Sequence, residues 1–440
     1  MPKNFMPNII MPIVIMPIVF MLERFVPENL ILKKTFNLFT PAGFGAIGRA
    51  AFGVFLLLGL GFSPAQAETN IPTVADYVMV TEFETGRVLM EKGKDLPMKP
   101  ASMAKIMTSY VVFSRIKDAS LALEDQIIVS EKAWKMGGSR SFLKPGTRYS
   151  VKELLYGVIV QSGNDAAVAL AEGLAGTEEN FAQEMNLTAK KLGMENTNFT
   201  NATGWPDPDL VTTAKDLNIL ATALIRDFPP EQYPDLYPIF KVKTYTLNDI
   251  KQGNRNPLLY GKSAAENGVD GLKTGYTEES GYGLTASAVK NGMRVVMVLN
   301  GMSSKKERSS ESARLMEFIM REYKNYKFFA SGDRVDEADV WLGRSRKIGL
   351  TAEKDVSRVL SRAERLKTEI GVSWINPVSA PITRGQKIGE VSVRVDGKTV
   401  DRIALLADRD VEQLGMFDRL GAALSYLILG ASNLPDSQQQ

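Results

Sequence analysis

The chain of 440 residues contains no cysteine and no histidine. The first absence removes disulfides, thiolate nucleophiles, iron–sulfur clusters and thiolate zinc sites. The second removes the Ser-His-Asp triad, the HExxH zinc site and imidazole proton shuttles, so acid–base work near neutral pH falls to Lys, Asp, Glu or Tyr. Excess charge of one sign is also missing. The first 67 residues hold five Lys/Arg against two Asp/Glu, and the rest hold 48 of each. A neutral body gives no reason to expect nucleic acid as a partner. The apolar run at 50–62, AAFGVFLLLGLGF, is 13 residues long, short of the roughly 20 that a bilayer span needs.

That run instead has the parts of a secretory signal. Arg49 precedes it, and Ser63-Pro64-Ala65-Gln66-Ala67 follows with the small side chains a signal peptidase admits, so cleavage after Ala67 and export are expected. Upstream, Met1, Met6, Met11, Met16 and Met21 recur every fifth residue, the first four each followed by proline. Such a spacing cannot sustain a helix. The stretch reads as low-complexity sequence, with Met21 a candidate initiator.

The remainder, in a chain 44% hydrophobic and 23% charged, is long enough for two domains. Tyr77 to Met90 reads as a hairpin turning at Glu84-Thr85-Gly86. A helix is expected near Ala101, with further helices over 151–174 and 178–193, where Val151, Leu154, Leu155, Val158 and Ile159 share a face. Strands follow at Gly283–Val289 and Val295–Leu299 around Lys290-Asn291-Gly292, a tight-turn signal. A helix over 309–323 closes this part. Beyond 326, alternation at Val391, Val393 and Val395 before Asp396-Gly397 indicates a small β-rich domain. Leu414, Phe417, Leu420, Leu424, Leu427 and Ile428 then form one apolar helical stripe, too short to span a bilayer.

Ser102 lies three residues before Lys105, which puts hydroxyl and amine on one helical face, where the amine can take the hydroxyl proton. The same S-x-x-K spacing recurs at Ser114, Ser141, Ser287 and Ser303, so spacing alone identifies nothing. Ser102 is distinguished by its place two residues after Pro100, at an expected helix start, where its N–H has no partner within the helix and can be donated to an oxyanion. Two motifs follow, each present once: Ser162-Gly163-Asn164 and Lys273-Thr274-Gly275. Taken singly, each has a plain reading, as a helix cap, a polar break before an Ala-rich helix, or a strand entering a turn. The ordered set does not.

S-x-x-K, then S-x-N, then K-T-G is the pattern of penicillin-binding proteins and serine β-lactamases, and from about residue 70 to its end the chain resembles the low-molecular-mass D-alanyl-D-alanine carboxypeptidases. The resemblance implies an α+β fold. A β-lactamase/transpeptidase-like domain, an antiparallel sheet flanked by a helical cluster, would occupy 68–325; a small β-rich domain, 326–410; an amphipathic helix and tail, 411–440. In such carboxypeptidases that helix holds the enzyme on the outer face of the cytoplasmic membrane.

The resemblance further implies that Ser102 is the nucleophile, Lys105 its base and Ser162 a proton relay. Asn164 and Thr274 would hydrogen-bond the substrate peptide, and Lys273 would attract its carboxylate. Gly275 completes the third motif, Tyr276 would give an oxyanion-hole N–H together with Ser102, and Arg308 would meet the terminal carboxylate. Lys105 must lose its proton near neutral pH, which burial and a second cation, assigned to Lys273, would favour. No metal or organic cofactor is implied. The expected partners are the peptidoglycan stem peptide and β-lactams as covalent inhibitors. A class A β-lactamase is the nearest rival, but the E-x-x-L-N element is missing and Gly163 stands where that class has aspartate. A D,D-endopeptidase and a non-catalytic peptidoglycan-binding scaffold are two further rivals.

Overall fold

The computed structural model describes residues 71–421 and the backbone of a short strand, Leu32–Lys34. The signal-like run, the predicted cleavage point after Ala67 and the later part of the apolar stripe, from Leu424 on, lie outside the described residues. The chain divides into two compact units. Among the described residues, one comprises 71–326 with 358–362, and the other 32–34, 327–357 and 363–421.

The first unit is built on a five-stranded antiparallel sheet of β1 (Tyr77–Glu82), β2 (Val88–Lys92), β3 (Val269–Thr277), β4 (Gly281–Lys290) and β5 (Met293–Met302), in the order β2-β1-β5-β4-β3. Both expected hairpins form. Asn291 and Gly292 each adopt positive φ and close β4 on β5, as a two-residue turn with inverted twist requires. Alternation along β5 serves two cores. Val296 and Val298 face the helical cluster, while Val295, Met297 and Leu299 pack with Leu315, Met316 and Ile319 of the closing helix. That helix spans Lys305–Glu322, four residues earlier at its start than the expected 309, because the Ser304 side chain caps it by accepting from the Glu307 N–H. Arg308 therefore sits in its first turn.

The helical cluster includes α1 (Lys105–Lys117), reached through a 3₁₀ turn at Ala101–Ala104, then α2 (Asn164–Ala175), α3 (Glu178–Leu192) and α4 (Ala214–Asp227). The helix expected over 151–174 is interrupted. Val151–Tyr156 is α-helical, Gly157–Gln161 widens into a π turn, and Ser162 takes a left-handed conformation at φ 61°. The polar run Gln161-Ser162-Gly163-Asn164-Asp165 coincides with the break, and the single helix expected over 151–174 runs across it.

The second unit is a sheet of Arg334–Trp341, Lys347–Ala352, Thr368–Trp374, Val378–Ser379, Lys387–Val395 and Lys398–Ala407, with Leu32–Lys34 parallel to Thr368–Trp374. Val391 and Val393 point into its core with Ile348, Leu350, Ile370 and Leu405. Asp396 and Gly397, both at positive φ, make the expected turn. The described stripe begins as a helix at 416–421. Among the described residues no helix is long and apolar enough to cross a membrane.

Candidate active site

Ser102 occupies the 3₁₀ turn that leads into α1. Ala101, just before it, is buried at φ 47°, a left-handed conformation that costs an alanine about 1–3 kcal/mol and persists only where its surroundings impose it. β3 supplies part of those surroundings. A Cβ on Gly275 would stand 2.8 Å from the Pro100 carbonyl oxygen and 3.2 Å from the Ala101 Cβ, so only glycine lets the K-T-G strand lie this close to the nucleophile's turn. β3 is the terminal strand of its sheet.

Lys105 follows on the same turn and is 1% exposed. Its Nζ has three neighbours: Ser102 Oγ at 3.2 Å, Asn164 Oδ1 at 2.7 Å and the Thr203 carbonyl oxygen at 2.6 Å. Two of the three can only accept. A neutral amine has two N–H donors and one lone pair; the donors satisfy Asn164 and Thr203, and the lone pair is left facing the serine hydroxyl. Burial and the nearby Arg255 guanidinium bring the Lys105 pKa down to about 7, against smaller opposing effects of Asp165 and Glu178.

The second motif enters from the break before α2. The left-handed Ser162 presents its Oγ to Lys273 Nζ, which donates across 2.8 Å. Lys273, on β3, also lies near the Thr274 carbonyl at 3.2 Å. Burial holds its pKa well below the ordinary lysine value, with Lys105, Arg255 and Arg308 adding to the effect. The structure thus brings Ser102, Lys105, Ser162, Asn164 and Lys273 together, and Thr274 is buried beside them on the strand. Asn164 is engaged at both ends: Oδ1 accepts from Lys105, and Nδ2 donates to the Gly137 carbonyl at 2.8 Å. One Nδ2 proton remains for a substrate.

Gly163 is explained by the loop that crosses this break. A Cβ there would lie 2.1 Å from Ser141 Oγ and 2.7 Å from Asp165 Oδ1, which leaves no room for the aspartate of class A β-lactamases. The buried Asp165 carboxylate accepts from the N–H groups of Ser141 at 2.7 Å and Leu143 at 3.2 Å.

Tyr276 stacks on Tyr282 with ring centroids 4.1 Å apart. Arg308, 8% exposed, lies over the Tyr282 ring at 5.7 Å, and its Nε is buried without a partner. An unpaired buried guanidinium nitrogen beside the K-T-G strand suits an incoming carboxylate. Among the described residues no group of acidic side chains is arranged to hold a metal ion.

Two contributions are not visible in the sequence. Arg255 is a cation that lowers Lys105, its guanidinium donating to Ser139 Oγ, and it acts beside the mutual repulsion of Lys105 and Lys273. Asn201 organises the turn that carries the Thr203 carbonyl, its Oδ1 accepting from the N–H groups of Thr203, Gly204 and Trp205 at 3.1, 2.8 and 3.0 Å. The Asn201-Ala202-Thr203-Gly204 run has turn-forming composition, but nothing in it announces a lysine partner.

Comparison with known proteins agrees with this geometry. The D-alanyl-D-alanine carboxypeptidase family pattern matches residues 64–304, and that of the penicillin-binding protein 5 C-terminal domain matches 323–413. The D-alanyl-D-alanine carboxypeptidase DacC of Escherichia coli K12 is 36% identical over 385 residues, covering 85% of this chain and 94% of that protein. Penicillin-binding protein 5 of Haemophilus influenzae superposes with a TM-score of 0.63 at 34% identity, over 78% of this chain and 99% of that one. Penicillin-binding protein D2 of Listeria monocytogenes, solved in an ampicillin-bound form, gives 0.50 at 30% identity over 57% of this chain and 98% of that one. The chain belongs to the D-alanyl-D-alanine carboxypeptidase family and is a serine-type D,D-carboxypeptidase of the penicillin-binding protein fold.

Proposed function

We propose that Ser102 is the nucleophile of this D,D-carboxypeptidase and Lys105 its base, and that the substrate is the D-Ala-D-Ala end of a peptidoglycan stem pentapeptide. The observation that carries the assignment is the set of contacts at Lys105 Nζ: two partners can only accept, so in the amine form the lone pair falls to the Ser102 hydroxyl. Ser102 Oγ bonds to the penultimate D-Ala carbonyl carbon while its proton passes to Lys105. The N–H groups of Ser102 and Tyr276 meet the oxyanion, each contributing about 3 kcal/mol. Collapse breaks the C–N bond, and the departing amine receives the Lys105 proton through Ser162 Oγ. Water then adds to the acyl-enzyme, returns a proton to Lys105, and releases the shortened peptide with Ser102 restored.

Lys273 and Arg308 bind the terminal carboxylate, and Asn164 and Thr274 hold the peptide along β3. Gly275 keeps that strand against the nucleophile's turn. A bound carboxylate also gives Lys273 the anion that its cationic neighbours deny it. Incubation with penicillin is expected to add one β-lactam mass to the tryptic peptide containing Ser102 and to persist for minutes or longer. Rapid, repeated turnover of penicillin would favour a β-lactamase. In the same assay set, a pentapeptide amidated at its C-terminus should release far less product than the free acid, and Arg308→Ala should narrow that difference; an amide turned over equally well would remove Arg308 and Lys273 from carboxylate recognition.

The chain is further proposed to be exported and to work peripherally at the outer face of the cytoplasmic membrane. In the helix at 416–421, Met416, Phe417 and Leu420 are 72%, 85% and 75% exposed, an apolar face suited to an interface. Full-length protein should float with anionic liposomes, and Phe417→Glu with Leu420→Glu should abolish flotation. Equal flotation of both would reject the contact.

A further inference from the structure

The loop at 137–143 is held from two sides. On its inner side the backbone N–H and Nδ2 of Asn164 donate to the carbonyls of Ser139 at 2.7 Å and Gly137 at 2.8 Å, and Asp165 receives the Ser141 and Leu143 N–H groups. Its outer side meets the hairpin of strands Thr244–Leu247 and Ile250–Gly253 and the residues just after it. Asn248 Nδ2 donates to the Phe142 carbonyl at 2.9 Å and to Tyr149 Oη at 2.8 Å. Gln252 Nε2 donates to the Arg140 carbonyl at 2.9 Å, and Arg255 to Ser139 Oγ. Three side chains from one short element therefore converge on the loop residues 139–142.

The element is built to present them. Leu247 pairs with Ile250, leaving Asn248 and Asp249 as a two-residue turn with both residues at positive φ, the twist-matched hairpin turn. Arg255 stands between two buried asparagines. Asn254 Nδ2 donates to the carbonyls of Phe240 and Val242 at 3.2 and 3.1 Å, and Asn256 Nδ2 to that of Gly271 at 2.8 Å, on the strand that carries Lys273. Yet of the hairpin's strand residues only Leu247 is buried. The hairpin adds only Leu247 and the Tyr245 ring, packed on Tyr156, to the core, and the side-chain donors Asn248 and Gln252 reach the loop.

We propose that this hairpin, with Arg255, is a brace that fixes loop 137–143 and through it sets the Asn164 amide against Lys105. Asn248 and Gln252 are positioning residues: they touch neither substrate nor reacting atoms. The inference rests on Ser102 and Lys105 acting as proposed above. When the outer contacts are lost, the Gly137 and Ser139 carbonyls no longer hold Asn164 at one angle, and Oδ1 drifts from the amine.

The test is the double variant Asn248→Ala with Gln252→Ala in the full chain, assayed for D-Ala release and for penicillin acylation of Ser102. Expected is a kcat lower by about 10- to 100-fold, as for displacement of a catalytic group by ångström distances, with a smaller rise in KM because Asn164 also holds the peptide. The acidic limb of the pH profile should move to lower pH, because the ammonium form of Lys105 loses an acceptor it needs more than the amine does. Arg255, Asp165, Glu178 and Lys273 remain in place around it. Lys251→Ala, exposed on the same hairpin, should behave as wild type. Gln252→Ala alone, which leaves the turn intact, should give a smaller change of the same kind if the double variant folds poorly. Wild-type kcat and pH profile in a folded double variant would overturn the brace, as would a loss of kcat that Lys251→Ala reproduces. Failure of the wild type itself to acylate at Ser102 would instead overturn the nucleophile assignment.

Discussion

Ser102→Ala is expected to reduce D-Ala release by at least about 10⁴-fold and to abolish the penicillin adduct, while the protein folds normally. Loss of a serine nucleophile in an acyl-transfer site costs up to about 10⁶ in kcat, and the residual rate comes from the oxyanion hole and binding. Removing one small hydroxyl at a turn anchored by Ala101, Gly275 and Lys105 opens little space, so thermal denaturation should shift by only a few degrees. Pentapeptide turnover, mass spectrometry of the adduct and a melting curve check the three parts. Undiminished D-Ala release by a folded Ser102→Ala protein would remove Ser102 from the chemistry.

The second large effect concerns Lys105. An ordinary lysine would reach its base form only near pH 10.5; with the pKa brought down to about 7, kcat/KM should rise through pH 7 as Lys105 gives up its proton and then level. Below that midpoint the ammonium has no lone pair to receive the Ser102 proton, and above it the amine does. Lys105→Arg should remove this limb and cut kcat/KM by about 10³-fold, since a guanidinium stays protonated throughout the working range. Lys105→Met, near in volume and uncharged, separates loss of the base from strain due to the larger group. A Lys105→Arg enzyme with an unchanged limb near pH 7 would assign the titration to another residue. Burial comes first among the causes of the shift and Arg255 second, so raising the ionic strength should move the midpoint little.

Much of this site is readable in one dimension because the residues proposed for the chemistry are tied to local backbone signals. Pro100 announces the turn before Ser102, Asn291-Gly292 announces the β4–β5 hairpin, and Asp396-Gly397 does the same in the second unit. The absence of histidine makes a lysine base the natural choice, and the order of three motifs selects Ser102 from five S-x-x-K copies. What escapes is tertiary. The polar run Gln161–Asp165 shows that something interrupts the helix, but not that Ser162 turns left-handed and aims its hydroxyl at Lys273. The orientation of Asn164 depends on carbonyls of a loop some 25 residues earlier. Arg255 stands between two buried asparagines that bond carbonyls elsewhere in the fold. No periodicity or composition reports contacts of that kind. The true start of the closing helix is hidden because Ser304 and Glu307 sit in a charged run that masks a cap.

The position of β3 at the end of its sheet has a consequence for when the reaction stops. A stem peptide added beside β3 as a further strand moves in discrete steps: a slip of one residue displaces its carbonyls by about 3.3 Å and turns alternate groups to the other face. Once the terminal D-Ala has left, the new carboxylate would have to advance by one such step to reach Arg308 and Lys273, and the next carbonyl would then present its neighbour's face to Ser102. If the stem peptide lies beside β3 with its carboxylate at Arg308 and Lys273, as proposed, the pleat acts as a ruler that favours removal of one residue.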